Sequence, residues 1–319
     1  MSTVCQFGWI GSRLGEFEGG RAWIFSLLMG GPVTPARPTG FHQFLVPILR
    51  GAVRLFEPAV FPGNEIGPPL ASPVEGADPV IIIHGIGDTA FGGQDMAASL
   101  RRDGFTVFTP TMPESGFYDA VACAEYLRNY IELVKKRTGA KHVNIVAHSQ
   151  GGIIARAYIK WFGGEASVSS LTTMGSPHHG LEKYGPFSDA QMGAALLQGL
   201  IPPGITQMRS GGEFIRQLND GDETPGAVQY VSIYSRDHDG IVSPQSSHLD
   251  GAKNVVLTAD QRPGGLRGPS HFGINHTSVE AYVAVRDALI AAPRDASMHA
   301  SSGARRRRPA RSHSRSSRA

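Results

Sequence analysis

The sequence predicts an α/β fold: a doubly wound, mostly parallel sheet with helices on both faces. Short runs of β-branched and aromatic residues without polar alternation recur along the chain, and this pattern is typical of strands buried on both faces. Runs with helical periodicity separate them, which favours parallel strands joined by helices. The predicted strands are Pro79–Gly85, Phe105–Thr109, Val143–Ala147, Leu171–Met174, Val228–Tyr234 and Val255–Thr258.

Three helices are predicted between and after these strands. Tyr118–Arg137 has apolar residues at helical spacing and should end at Gly139, and Ile153–Trp161 and Val279–Ala292 follow later in the chain. The apolar positions of the first helix are Val121, Ala124, Leu127, Ile131 and Val134. In sheets of this kind the ligand site lies beyond the carboxyl ends of the strands, so polar residues there are the candidates for function.

The 319 residues divide into three parts. Residues 1–40 form a leader, either a signal peptide or a disordered segment. Residues 41–293 form one α/β domain, which begins with a helical pattern at Phe41–Phe56 and carries an apolar insertion at 181–225. That insertion is either a lid beside the site or a set of covering helices. Residues 294–319 are rich in arginine and serine and should be disordered.

The leader favours secretion. Ala22–Met29 is an apolar run after Arg21 and resembles the core of a signal peptide, although Glu16 and Glu18 are atypical of its basic start. The run is too short to span a bilayer, so no transmembrane anchor is expected. We expect the domain to be a monomer.

The charge of the chain is unevenly distributed. Seven of its 30 basic residues lie in Arg305–Arg318, which leaves 23 basic against 27 acidic residues in the rest. The body is therefore mildly acidic. The basic tail is either a solvated, dispensable segment, which is favoured, or an arm that binds RNA or an anionic surface; because nothing else in the sequence suggests nucleic acid, no nucleic-acid partner is expected. Cys5 and Cys123 are the two cysteines, with no metal-binding spacing and no disulfide framework.

The residues around Ser149 are the strongest functional signal. A buried strand, Val143–Ala147, runs into Ser149, and Gly151 and Gly152 lead into a helix. A serine on a sharp strand-to-helix turn between small residues is the nucleophile elbow of an α/β-hydrolase, usually G-x-S-x-G. Ala147 replaces the first glycine, a mild departure because alanine is nearly as small.

A serine nucleophile needs a base and an acid that orients the base, and in this fold both follow the serine in the order Ser, acid, His. Asp239 follows the fifth strand and precedes a glycine and two apolar residues, with Asp237 as the alternative acid. His271 and His276 follow the sixth strand. His276 has a structural alternative beside Thr277 and Ser278, which can cap the last helix, so His271 is favoured.

Acyl transfer also requires hydrogen-bond donors for the oxyanion. One is the backbone N–H of Gln150, directly after the nucleophile. The other is predicted at Ile86, between Gly85 and Gly87 in the loop after the first strand. His178 and His179 follow the fourth strand and either line the substrate cleft or belong to a polar loop.

Taken together, the chain resembles the class 2 lipases of bacteria: the larger actinobacterial esterase/lipases and the small Bacillus lipases. The resemblance runs from about Pro62 to Ala292. It rests on these segments: Pro62–Asn64, Ile83–Gly87, Thr138–Lys141, Val143–Gly152, Gly175–Gly180, Phe214–Asn219, Tyr234–Arg236 and Leu249–Val255. Ala147 is characteristic of the small Bacillus group.

The resemblance implies Ser149 as nucleophile, Asp239 as acid, His271 as base, and Ile86 and Gln150 as oxyanion donors. Two residues separate Arg236 from Asp239 where relatives tend to have one, which keeps Asp237 as an alternative. The cysteine pair of many actinobacterial relatives is missing, so their disulfide should be absent. The family is usually secreted.

The sequence therefore predicts a serine carboxylic-ester hydrolase, an esterase or triacylglycerol lipase of lipid breakdown, that acts on an ester or lipid substrate and needs no cofactor or metal. A polyester depolymerase or acyltransferase that uses the same residues is the alternative among enzymes. A non-catalytic binding protein with this fold is the alternative from another class.

Overall fold

The computed structural model describes residues 63–182, 201–237, 239–258 and 269–293. The leader 1–40, the helical pattern at Phe41–Phe56 and the tail 294–319 lie outside the described residues. The strands are β1 (Val80–Ile83), β2 (Val107–Phe108), β3 (Val143–His148), β4 (Val168–Met174), β5 (Gln229–Ser235) and β6 (Lys253–Leu257).

Eight α-helices accompany these strands in the described part of the chain. They are α1 (Gln94–Arg102), α2 (Ala120–Thr138), α3 (Gln150–Trp161), α4 (Pro203–Thr206), α5 (Glu213–Asn219), α6 (Pro244–Ser247), α7 (Gly273–His276) and α8 (Val279–Ala291). Gly139, at φ 74°, ends α2 in the left-handed conformation, as its sequence predicts.

The six strands form one sheet in the order β2-β1-β3-β4-β5-β6, and all of its described pairs are parallel. The order reverses between β1 and β3, which pair directly although β2 lies between them in sequence. A parallel sheet opens a crevice beyond the carboxyl ends of its strands at such a reversal. The loop after β1 and the elbow after β3 therefore meet there.

Helices cover both faces, and each strand contributes to both cores because successive side chains point to opposite faces. Ile81 and Ile83 of β1 pack in a cluster with α2 and α3. Val80 and Ile82 pack in a second cluster with α1 and α8. The predicted α/β-hydrolase fold class is thus confirmed.

The structure differs from the prediction in the bounds of some strands and in the burial of one helix residue. β4 begins three residues before the predicted Leu171, at Val168, since its first serines are buried and hydrogen-bonded rather than exposed. Ser169 Oγ donates to Asp78, and Ser170 Oγ donates to Asn144. Val121 was expected on the buried face of α2, but it is exposed, in the first turn of the helix.

The insertion at 181–225 is described at its two ends, while 183–200 lie outside the described residues. Leu181 N–H donates to the carbonyl of Met208, which closes the base of the insertion. Beyond it, Phe214 of α5 is buried and packs edge-on against Trp161 of α3, with ring centroids 5.5 Å apart. The α5 part is a covering helix, and a moving lid stays a prediction. No helix among the described residues is long and apolar enough to cross a bilayer.

Candidate active site

Ser149 occupies the sharp turn between β3 and α3 in a conformation that side chains rarely adopt. Its φ is 53° and its ψ is −127°. The helix approaches the sheet closely behind it because Gly151 and Gly152 have no side chains. A β-carbon at Gly152 would lie 2.2 Å from Ser176 Oγ, and one at Gly151 would lie 2.8 Å from the carbonyl oxygen of His84. The glycines thus allow the turn that presents Ser149.

Ser149, His271 and Asp239 form a continuous chain of contacts beyond the strand ends. The Ser149 hydroxyl lies 2.9 Å from His271 Nε2. His271 Nδ1 lies 2.9 Å from both carboxylate oxygens of Asp239. The geometry assigns the donors: the serine O–H donates to Nε2, and Nδ1–H donates to the carboxylate. The arrangement can increase the nucleophilicity of the serine oxygen.

The backbone holds Asp239 from several sides. The N–H groups of Ile241 and Val242 donate to its Oδ1 atom, and the N–H of His271 donates to its carbonyl at 3.0 Å. A carboxylate that accepts this many hydrogen bonds has one orientation. Asp237, the alternative acid, is exposed in the bend after β5, whereas Asp239 is buried.

His276, the alternative base, lies elsewhere. Its Nδ1 atom is 3.1 Å from the Asp95 carboxylate, so it joins α7 to α1. Ser278 caps α8 by accepting a hydrogen bond from the N–H of Ala281, one of the two caps considered for this position. The structure brings His271 to Ser149 and His276 to Asp95.

His148 supports the loop of His271, and nothing in the sequence indicated this. Its Nε2–H donates to the carbonyl oxygen of His271 at 2.8 Å. Burial lowers the pKa of His148 well below 6.5, and the neighbouring His271 lowers it further. The ring is therefore neutral, in the tautomer with a proton on Nε2. The signal was absent because the partner is a backbone carbonyl 123 residues away.

The predicted oxyanion loop approaches the serine closely. A β-carbon added at Gly85 would lie 3.5 Å from Ser149 Oγ. Asp88 N–H donates to the carbonyl of Gly85, and Gly87 has φ 76°, as expected for glycine at the third position of a type II turn. Ile86 is the second residue of this turn, and Gln150 follows Ser149. Both predicted donors thus belong to segments that adjoin the nucleophile.

His178 and His179, considered for the cleft, take structural positions. His178 is fully buried, and its Nε2 atom lies 3.0 Å from Thr173 Oγ1. His179 Nε2 lies 3.1 Å from the carboxylate of Glu223, and this hydrogen bond raises the histidine pKa. The two residues hold the polar turn after β4.

Two further groups bear on cofactor and metal chemistry. Cys123 of α2 is a buried free thiol, and burial raises its pKa to about 12, which keeps it protonated. Among the described residues, no three histidine, cysteine or carboxylate side chains are grouped so as to hold a metal ion.

Comparison with known proteins finds a lipase family that matches the sequence of this chain. The family described as Lipase (class 2) matches residues 77–262, more than half of the chain. This range contains Ser149 and Asp239 and ends before His271.

Individual relatives match more locally. A triacylglycerol lipase of Pseudarthrobacter phenanthrenivorans is 34% identical over 113 residues, which cover 33% of this chain and 34% of that protein. Lipase B of Pseudozyma antarctica is 26% identical over 234 residues, 69% of this chain and 64% of that protein. The match thus spans about a third of the length of the first of these relatives.

Among solved structures, a Bacillus licheniformis lipase in its mature form superposes with a TM-score of 0.53 at 18% identity. The superposition covers 70% of this chain and 96% of that one. At this identity the likeness shows the fold.

Proposed function

Because the chain belongs to the Lipase (class 2) family, we propose that it is a serine carboxylic-ester hydrolase, an esterase or triacylglycerol lipase. One observation carries the proposal: Ser149 Oγ, His271 and Asp239 form a chain of contacts of 2.9 Å each. The triacylglycerol lipases among its relatives support the same substrate class.

In the proposed mechanism His271 is the general base. Its Nε2 atom accepts the Ser149 proton as the serine oxygen attacks the ester carbonyl. Asp239 stabilises the imidazolium that forms and keeps the ring in the required tautomer. The backbone N–H groups of Ile86 and Gln150 stabilise the tetrahedral oxyanion.

The intermediate then collapses to an acyl-enzyme. His271 donates its proton to the leaving alcohol, and the ester bond to that alcohol breaks. A water molecule next attacks the acyl-enzyme while His271 again accepts a proton. A second tetrahedral intermediate releases the carboxylic acid and regenerates Ser149.

We also propose the substrate class, the location and the oligomeric state of the protein. An ester or lipid substrate fits the family, and a secreted monomer is the expected form of the protein. A polyester depolymerase or an acyltransferase would use the same three residues and differ in substrate or acyl acceptor.

Covalent labelling tests the proposal directly. The purified wild-type protein should react with a fluorophosphonate probe at Ser149 and hydrolyse p-nitrophenyl esters. Ser149→Ala should remove both activities because it removes the attacking oxygen. His271→Ala should lower kcat by about 10⁴-fold or more, because residues of such a triad act as a unit.

His276→Ala is the matched control, since it removes a histidine from the same short segment and leaves His271 in place. This variant should keep most of the activity. A wild-type protein that neither hydrolyses esters nor takes the label would favour a non-catalytic binding protein. Loss of activity at His276 alone would overturn the choice of base.

A series of p-nitrophenyl esters from acetate to palmitate separates esterase from lipase. Good hydrolysis of long chains supports the lipase, and a sharp preference for acetate or butyrate supports the esterase.

A further inference from the structure

The side chain of Gln150 makes contacts that the proposed chemistry does not use. It is fully buried, and its Nε2 atom donates to the carbonyl oxygens of Gly116 at 2.8 Å and Gly204 at 2.9 Å. These partners lie 34 and 54 residues away in sequence. One amide therefore joins the first turn of α3, the loop after β2 and the start of α4.

The loop after β2 contains a left-handed turn. Glu114 and Ser115 have φ 48° and 55°, and Gly116 has φ 84°. The left-handed conformation costs roughly 1–2 kcal/mol for a residue with a β-carbon. Two such residues in sequence persist only if the surrounding contacts hold them.

This turn contacts the predicted oxyanion loop. The N–H of Gly87 donates to the carbonyl of Ser115 at 2.7 Å, and the N–H of Met112 donates to His84 Nε2 at 2.9 Å. A β-carbon at Gly116 would lie 3.3 Å from the α-carbon of Ile86. The turn thus packs against the predicted oxyanion loop and is hydrogen-bonded to it.

The two oxyanion donors belong to different segments, Ile86 in the loop after β1 and Gln150 in α3. Stabilising an oxyanion requires both N–H groups to be fixed before the reaction, within a fraction of an ångström. The backbone of Gln150 supplies one donor. The side chain of Gln150 holds the turn at 114–116, and this turn contacts the loop that contains the other donor, Ile86.

We propose that the Gln150 side chain is a positioning group, which fixes the Ile86 donor relative to Gln150 N–H through the left-handed turn at 114–116. This inference rests on the proposed function, because it assigns a task in the same oxyanion hole. It predicts that the side chain matters for transition-state stabilisation, although its atoms do not touch the substrate.

Gln150→Met tests this proposal, since methionine is of similar length to glutamine. The substitution keeps the backbone N–H and removes the side-chain amide group. We expect kcat for p-nitrophenyl butyrate to fall by about 10- to 100-fold while KM changes little. Inhibition by a phenylboronic acid, whose tetrahedral adduct places an oxygen in the hole, should weaken by a similar factor. The pH profile of kcat/KM should keep its shape.

Gln207→Met is the matched control. Gln207 also holds α4, but its amide contacts Ala120 N–H and the Asp119 carboxylate at the start of α2. We expect this variant to lose some thermal stability and to keep kcat and the boronate affinity.

A second pair of variants covers the case in which Gln150→Met does not fold. Gly116→Ala and Gly139→Ala carry similar backbone penalties, since both glycines have positive φ, at 84° and 74°. A β-carbon at Gly116 would lie 2.3 Å from Gln150 Oε1, whereas one at Gly139 meets no atom within 4 Å. Only Gly116→Ala should lower kcat and weaken boronate binding.

The outcomes separate the two proposals. An inactive and unlabelled wild-type protein would overturn the proposed function, and this inference with it. An active wild type, together with Gln150→Met and Gly116→Ala variants that keep kcat and boronate affinity within about twofold, would overturn this inference alone. Equal losses of kcat in Gly116→Ala and Gly139→Ala would also contradict it.

Discussion

Ser149 combines a proposed chemical role with backbone strain, and the two can be separated. At φ 53° and ψ −127° its β-carbon costs on the order of 1–3 kcal/mol, whereas glycine adopts this conformation freely. Both Ser149→Gly and Ser149→Ala remove the hydroxyl. We expect the free energy of unfolding of Ser149→Gly to exceed that of Ser149→Ala by about 1 kcal/mol, after the larger unfolded-state entropy of glycine is subtracted. Urea denaturation measures the difference.

Ala155→Gly is the control for that comparison, because Ala155 lies inside α3, the helix that begins directly after Ser149. There, glycine should lower the free energy of unfolding by at least about 1 kcal/mol, because it is a poor helix former and the substitution also removes a buried methyl group. If Ser149→Gly also proves less stable than Ser149→Ala, the turn stores no strain at this residue.

At the same scale, the sequence predicts residues whose order along the chain is set by the fold, but it does not predict side-chain contacts between distant segments. Ser149, Asp239 and His271 are predictable because the fold requires a serine, an acid and a histidine in that order after particular strands. The side-chain contacts of His148 and Gln150 are not, since both bond to backbone carbonyls that any residue could supply. The catalytic roles of Asp239 and His271 stay predictions.

At the scale of elements, one buried arginine of α3 makes several hydrogen bonds to the chain at and after the end of α5. The guanidinium of Arg156 donates to the carbonyl of Glu223 through two nitrogens, to Asn219 Oδ1 and to the carbonyl of Leu218. Arg156 is 2% exposed, and burial lowers its pKa to about 10. The planar guanidinium provides donors for oxygen atoms that are partly or fully buried and have fewer contacts with water.

Arg156→Met should therefore lower the free energy of unfolding by about 3 kcal/mol, because it removes the donors to the Glu223 carbonyl and to Asn219 Oδ1, while the Leu218 carbonyl keeps its hydrogen bond from Lys160. Arg216→Met in α5 is the control: the same substitution at an exposed residue that pairs with Glu213 should change stability little. Urea denaturation of both variants measures this, and equal effects would contradict the structural role assigned to Arg156.

The boundaries of the strands and turns show which of them hydropathy can predict and which it cannot. Continuous apolar runs locate β1 and β3 well, because parallel strands in the centre of a sheet are buried on both sides. The start of β4 was missed because Ser169 and Ser170 look exposed in the sequence but are buried with partners. The left-handed turn at 114–116 could not be predicted either, since Glu114 and Ser115 have no intrinsic preference for positive φ.

At the scale of the whole molecule, the domain buries neutral histidines, and this sets its response to acid. His84, His148 and His178 are at most 4% exposed, and burial is the main cause that lowers the pKa of each below 6.5. In the unfolded chain they titrate near 6.5. Below that pH the unfolded chain binds protons that the folded protein does not, so acid favours unfolding.

We therefore expect the buried neutral histidines to contribute no slope to the free energy of unfolding from pH 8 to 7, and the free energy to fall as the pH drops from about 6.5 to 5.5. Each of the three histidines contributes up to roughly 1.4 kcal/mol per pH unit below 6.5. His179 acts in the opposite sense, since Glu223 raises its pKa: its contribution is complete below 6.5 and is lost as the pH rises through its folded value. Urea denaturation at half-unit pH steps measures the curve. His178→Gln should make the loss between pH 6.5 and 5.5 smaller, and a wild-type curve that stays flat over this range would show that the buried histidines do take up protons in the folded state.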